Sequence, residues 1–157
     1  LEAQNMLERF GDKEALIEKT PFSGIILVKT SLDNIKVLDN FREIIEDEPW
    51  LIKYCSRIIP IQKECETKLE EIRDIAVELS NVMKQNETYR ITVEKRHSSL
   101  HTKEIISNIA DSLSNKVLLE NSDWEIIVQI LRNKTGVSVI PPDTILSVDR
   151  EKRVELD

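Results

Sequence analysis

The sequence predicts an α/β (α+β) protein made of two small domains, and three observations lead there. Segments with apolar residues at helical spacing alternate with short β-branched runs along the 157 residues. Ile, Leu, Val and Phe supply 51 residues, about a third of the chain, which is enough apolar material to fill packed cores. Only three Gly and five Pro occur, so no low-complexity linker interrupts the pattern.

Ala3, Met6, Leu7 and Phe10 recur at helical spacing, and Gly11 is placed to end that helix in a left-handed cap. Residues 12–20 are mixed in character and read as a polar edge strand. Ser23 to Lys29 read as a buried strand closed by a Thr30-Ser31 turn. Asp33 can cap a helix that turns Ile35, Leu38, Phe41, Ile44 and Ile45 inward and stops at Pro49. Trp50 to Ile61 is apolar and β-branched enough for a further strand, with Pro60 near its end. Helix, strand, strand, helix, strand is the order of a ferredoxin-like βαββαβ domain lacking its first strand. That domain is expected over residues 1–62, with the missing strand either preceding Leu1 or absent from these residues.

A second domain is expected over residues 67–140. Thr67 and Glu70 form a capping box for an amphipathic helix running through Leu69, Ile72, Ile75, Ala76, Leu79, Val82 and Met83. Tyr89, Ile91 and Val93 alternate with Arg90, Thr92 and Glu94, as in a strand with one inward face. Thr102 then caps a helix with Ile105, Ile106, Ile109, Ala110 and Leu113 inward. Val117–Leu119, Trp124–Leu131 and Val137–Ile140 are three more strand candidates, the second apolar on both faces and so central. Pro141-Pro142 closes the packed region, and residues 141–157 are expected to be a charged strand and tail.

Several function classes are disfavoured. Neither GxGxxG nor GxxxxGK[ST] occurs, and no apolar run approaches a membrane span. Cys55 and Cys65 are too few for a disulfide framework, so a soluble, cytoplasmic protein is expected. His97 and His101 lack a local third ligand, and no nucleophile, base and orienting group share a promising spacing. No catalytic residue, metal or cofactor is therefore expected.

The net charge of −7 argues against a polyanionic partner taken alone, but its distribution is uneven. Residues 1–88 carry 12 basic and 18 acidic side chains, whereas residues 89–134 carry 7 and 6. The densest basic point is Lys95-Arg96-His97, followed by Ser98, Ser99, His101 and Lys103. A basic strand end that feeds a helix start sets cations beside unpaired backbone N–H groups, which suits a phosphate. Lys95, Arg96 and Lys103 are expected to neutralise phosphates, with His97, Ser98 and Ser99 adding hydrogen bonds. Lys116, Arg132 and Lys134 extend the track, and Arg57 contributes from the domain junction. Aromatic residues are few and mostly expected on inner faces, so recognition of structured RNA through backbone and shape is favoured over base stacking.

The stretch Tyr89 to Leu100, with Lys103-Glu104-Ile105-Ile106, Lys116 to Trp124 and Gly136-Val137-Ser138-Val139, resembles a THUMP domain. Together with Ser23 to Thr30, Pro49-Trp50 and Arg57 to Ile61 it is similar to the archaeal stand-alone THUMP proteins related to the eukaryotic adaptor for tRNA cytidine acetylation. Ser122 stands where such proteins usually have Pro. The resemblance implies a non-catalytic tRNA-binding adaptor that presents the acceptor region to a separate acetyltransferase. Two other readings compete with it. One is a protein-interaction module docking a basic partner on its acidic N-terminal half. The other is an RNA-processing enzyme using His97 as acid or base.

Overall fold

The computed structural model describes residues 2–156. The chain runs α1 (Glu2–Arg9), β1 (Leu16–Lys19), β2 (Ile26–Lys29), α2 (Asn34–Asp47), β3 (Arg57–Ile58), β4 (Lys63–Glu66), α3 (Leu69–Leu79) and β5 (Tyr89–Arg96). It continues with α4 (Thr102–Ala110), β6 (Trp124–Leu131), β7 (Lys134–Ile140), β8 (Leu146–Ser147) and α5 (Val148–Leu156). The mixture of helix and strand is the α/β class that the sequence predicts. Two compact units result, one from residues up to 60 with those from 144 on, the other from residues 61–143.

The first unit is built on the apolar stripe of α2. Val37, Leu38, Phe41, Ile44 and Ile45 are buried there with Met6 and Leu7 of α1. Phe10 meets Phe41 edge-on, with ring centroids 5.1 Å apart. Asp33 caps α2 by accepting from the Lys36 amide at 3.1 Å, and Gly11 leaves α1 at φ +111°.

The strands of this unit differ from the expected ferredoxin-like sheet: β1 pairs with β2, and β3 pairs separately with β8, both antiparallel. The strand expected before Leu1 lies outside the described residues. Trp50 to Ile61 is mostly not a strand; Pro49–Leu51 form a 3-10 turn and only Arg57 and Ile58 are extended in a ladder. The physical reason is a long-range contact, because the Glu2 carboxylate accepts from the amides of Lys53, Tyr54 and Cys55, the donors a ladder would need.

The expected tail over residues 141–157 also needs correction. From Thr144 on it belongs to the first unit, where β8 sets Ile58 opposite Leu146, and Leu146 and Val148 are buried in the core. The charged remainder is α5, with Asp149 and Glu151 in its first turn and Arg153 in its last, each complementing the helix dipole. Two apolar anchors, hidden among many charges, decide this docking.

The second unit is a four-stranded sheet in the order β4-β7-β6-β5. β6 runs antiparallel to β7 and parallel to β5, the parallel pair being joined through α4. Ile72 and Ala76 of α3 and Ile105 and Ile109 of α4 pack on Tyr89, Ile126, Val128, Ile130, Val137 and Val139. On the other face Ile127 is also fully buried, consistent with a central strand. Thr67 does not form the expected capping box: its hydroxyl lies 2.9 Å from that of Thr135, and Lys68 takes the N-cap position. Likewise His101, one residue before Thr102, is the N-cap of α4. The expected 117–119 strand reduces to one parallel bridge between Val117 and Tyr89.

Candidate nucleic-acid interface

Strand register brings three chain connections of the second unit to one edge. Arg96 sits opposite Leu131, Leu131 opposite Lys134, and Lys134 opposite Glu66, so four strand ends share one row. From that row leave the 97–101 loop to α4, the 132–133 hairpin turn, and the 67–68 link to α3. Both helices consequently start at this edge. Neither N-cap, Lys68 nor His101, makes a side-chain capping hydrogen bond, so first-turn amides lack the partner a Ser, Thr or Asp would supply.

An open groove of about 480 Å³ lies among these connections. His97, Ser98 and Ser99 line it from one side, Arg132, Asn133 and Lys134 from another, and Glu66 to Lys68 from a third. The turns that shape it are tight. His97 and Arg132 both adopt φ +54°, which costs a side-chain-bearing residue roughly 1–2 kcal/mol. Backbone bonds hold them, with the Arg132 amide donating to the Arg96 carbonyl at 2.9 Å and the Thr67 amide to Asn133 at 3.0 Å. The Leu100 amide donates to Ser98 Oγ at 3.2 Å, folding the loop on itself.

Cations dominate the groove wall, with Glu66 as the opposing carboxylate. Lys68 lies 3.2 Å from Glu66, and this bond, with the Glu66, Glu71 and Glu70 charges, holds its ammonium pKa above the ordinary lysine value. Lys68 therefore stays charged throughout the physiological range. Such a wall, beside two helix starts, can receive anionic oxygens through charge and backbone donors together.

His97, Ser98, Ser99, Arg132 and Lys134 come together here as expected sequence-derived candidates. Others do not join them. Lys95 and Arg96 are successive residues of β5 and face opposite sides of the sheet. Lys95 Nζ donates to the Leu100 carbonyl at 2.8 Å and so pins the loop. Arg96 donates to Gln129 Oε1 at 3.1 Å and pairs with Glu94 at 3.4 Å, and it is not among the residues that line the groove. Lys103 lies in the first turn of α4, at the same edge but outside the groove lining. Lys116 is at the far end of β5: its carbonyl accepts from the Tyr89 amide, a strand length of roughly 23 Å from Arg96. Arg57 belongs to β3 of the first unit, opposite Ser147.

Sequence reading missed Lys68 and Asn133. The signal for Lys68 was its place directly before the first apolar turn of α3, which the apparent Thr67 capping box obscured. Among the described residues no group of three His, Cys, Asp or Glu side chains is placed to hold a metal ion, and no helix is long and apolar enough to cross a membrane. Cys65, half-buried, has its thiol pushed up to about 11 by burial and then by Glu71, which suppresses the thiolate.

The second unit is thus an α/β sheet domain with strand ends, two helix starts and cationic turns gathered on one edge. Residues 66–140, which fall within the second unit, match the THUMP domain family. Over 154 residues the chain is 26% identical to the uncharacterized protein MJ0421 of Methanocaldococcus jannaschii, covering 95% of this chain and 40% of that protein. The crystal structure of PH1313 from Pyrococcus horikoshii shares the fold with a TM-score of 0.60 and 20% identity, over 91% of this chain and 48% of that one. TrmN from Thermus thermophilus superposes with a TM-score of 0.46 and 10% identity over 59% of this chain and 31% of its own. The chain thus spans two-fifths to one half of the length of the first two proteins.

Proposed function

We propose that this chain binds tRNA through the groove of its THUMP domain and serves as a non-catalytic adaptor, presenting the acceptor region to a separate modification enzyme such as a cytidine acetyltransferase. The observation that carries the reading is the convergence of Lys68, Arg132 and Lys134 with the 97–99 loop at two helix starts. The match of residues 66–140 to the THUMP family supports it.

The groove's cations neutralise backbone phosphates, and the Ser99 hydroxyl, His97 and first-turn amides supply hydrogen bonds to the same oxygens. The net charge of −7 works against loose binding elsewhere on the molecule, so affinity is concentrated at this edge. If Lys68, Arg132 and Lys134 neutralise three phosphates, the log–log salt slope is about −2.1 to −2.7, and affinity falls roughly 20- to 40-fold between 50 and 200 mM salt. The acetyl-transfer chemistry belongs to the partner enzyme; this chain's residues hold and orient the RNA.

The test compares acetylated cytidine in tRNA by mass spectrometry in cells with and without the gene, alongside tRNA binding by the pure protein. Loss of the modification with unmodified tRNA after incubation with pure protein supports the adaptor. Salt-independent binding, or modification of tRNA by the pure protein, overturns it.

A further inference from the structure

In the second unit the segment Lys116-Val117-Leu118-Leu119-Glu120 sets three apolar side chains between a cation and an anion, and all five residues are exposed. Val117 is 50% exposed, Leu118 44% and Leu119 77%. Three consecutive apolar residues facing water are unfavourable unless something covers them. The segment is held in place. The Tyr89 amide donates to the Lys116 carbonyl at 3.1 Å and the Leu118 amide to the Tyr89 carbonyl at 2.9 Å, which lays it beside the start of the edge strand β5. Asn115 Nδ2 donates to the carbonyls of Lys84 and Glu87 just before it, and Asn121, at φ +57°, turns the chain just after it.

The outer side of this segment is open. Because Lys116 and Leu118 direct backbone groups toward Tyr89, Val117 directs its own amide and carbonyl the other way, where no described residue meets them. Among the described residues the side chains of Lys116 and Glu120 also have no ion-pair partner.

The order of cation, three apolar residues and anion is its own complement when a second copy is laid antiparallel to it. With a two-fold axis at Leu118, that residue meets Leu118 of the second copy, Val117 meets Leu119, and Lys116 meets Glu120. The last two contacts each occur twice. Moving the axis by one residue sets Lys116 or Glu120 against Leu118 of the second copy, which presses a charge on an apolar side chain. One register therefore matches every side chain with its own kind or its opposite charge. The groove lies at the other end of β5, so the two surfaces do not compete.

We propose that residues 116–120 form a self-complementary patch through which two copies of this chain pair antiparallel. The pairing does not depend on RNA binding, and it gives Lys116 a role that the groove does not. Five residues a side make a small contact, of the weak and transient class below about 1,200 Å² in total, so the dimer is populated at high protein concentration.

Sedimentation equilibrium of the full chain, from about 5 to 500 μM, reads the association. The parent is expected to pass from monomer toward dimer across that range. Lys116→Glu and Glu120→Lys, each alone, bring like charges together and are expected to weaken association about fivefold or more, as is Leu119→Asp. Lys116→Glu combined with Glu120→Lys restores both pairs and is expected to return association to within about twofold of the parent. Thermal melting checks that each variant folds as the parent does. A parent that stays monomeric throughout, or a dimer indifferent to Leu119→Asp, overturns the patch. Failure of the double exchange to rescue the single ones overturns the antiparallel register and the proposal with it.

Discussion

The guanidinium of Arg96 donates to the side-chain carbonyl of Gln129 at 3.1 Å, on the sheet face opposite to that of Lys95. Arg96 is thereby a structural cation, held by Gln129 and Glu94, rather than part of the groove wall. Arg96→Ala is expected to change tRNA affinity by less than about twofold while lowering stability by about 1 kcal/mol through the lost bond to buried Gln129. Combined Lys68→Ala, Arg132→Ala and Lys134→Ala is expected to weaken binding at least tenfold and flatten the salt slope by about 2 to 3. Filter-binding titrations across a salt series, paired with urea melts, measure both.

Acid stability of the first unit is tied to two carboxylates. Burial raises the Glu2 pKa, but hydrogen bonds from the Lys53, Cys55 and Tyr54 amides and the Cys55 thiol outweigh it and leave Glu2 below the ordinary value of 4.5. Asp12 is lowered from 3.8 by the Thr30 hydroxyl, with the Glu14 and Ser31 amides helping against burial. A group depressed in the folded state stabilises it above the unfolded pKa and loses that contribution as pH falls through the folded one. Stability is expected to hold down to the ordinary carboxylate range and then decline. Glu2→Gln and Asp12→Asn should each be less stable at pH 7 and show a shallower acid limb in chemical melts from pH 7 to 2.

Both thiols are expected to be sluggish. Burial, then the hydrogen bond and charge of Glu2, push Cys55 up to about 12, and burial with Glu71 pushes Cys65 to about 11. At pH 8 roughly one Cys65 thiol in a thousand is ionised. Alkylation followed by intact-mass spectrometry should be slow in the native protein and fast in denaturant. Rapid native labelling of Cys55 would contradict the contact with Glu2.

Gly136 is a packing requirement. A Cβ at that position would stand 2.7 Å from Ile61 Cγ2 and 2.9 Å from Cδ1. Gly136→Ala is expected to cost about 1–3 kcal/mol through overpacking. In an Ile61→Ala background the same change should cost less than about 0.5 kcal/mol, and a double-mutant cycle of denaturant midpoints reads the difference.

Much of the local structure was legible because it is written in short-range pattern. The inner faces of α2 and α4, the Asp33 cap and the two-faced burial of β6 follow from residue spacing within one element. The candidate site was legible in part. The 97–99 loop and the Arg132 to Lys134 turn were expected to act together, whereas Lys95 and Arg96 were grouped by adjacency. Extending β5 through Arg96 turns adjacent residues to opposite faces, so neighbours in sequence became strangers in space.

The sequence by itself determined the alternation of helix and strand and the basic character of residues 89–134, since both depend on composition and period alone. Tertiary structure decided which charges share a wall. Ladder register put Glu66, Arg96, Leu131 and Lys134 in one row, and with them the turns and helix starts of the groove. It also returned Leu146 and Val148 to a core far away along the chain. Those outcomes depend on pairing between distant segments, which local propensity does not encode.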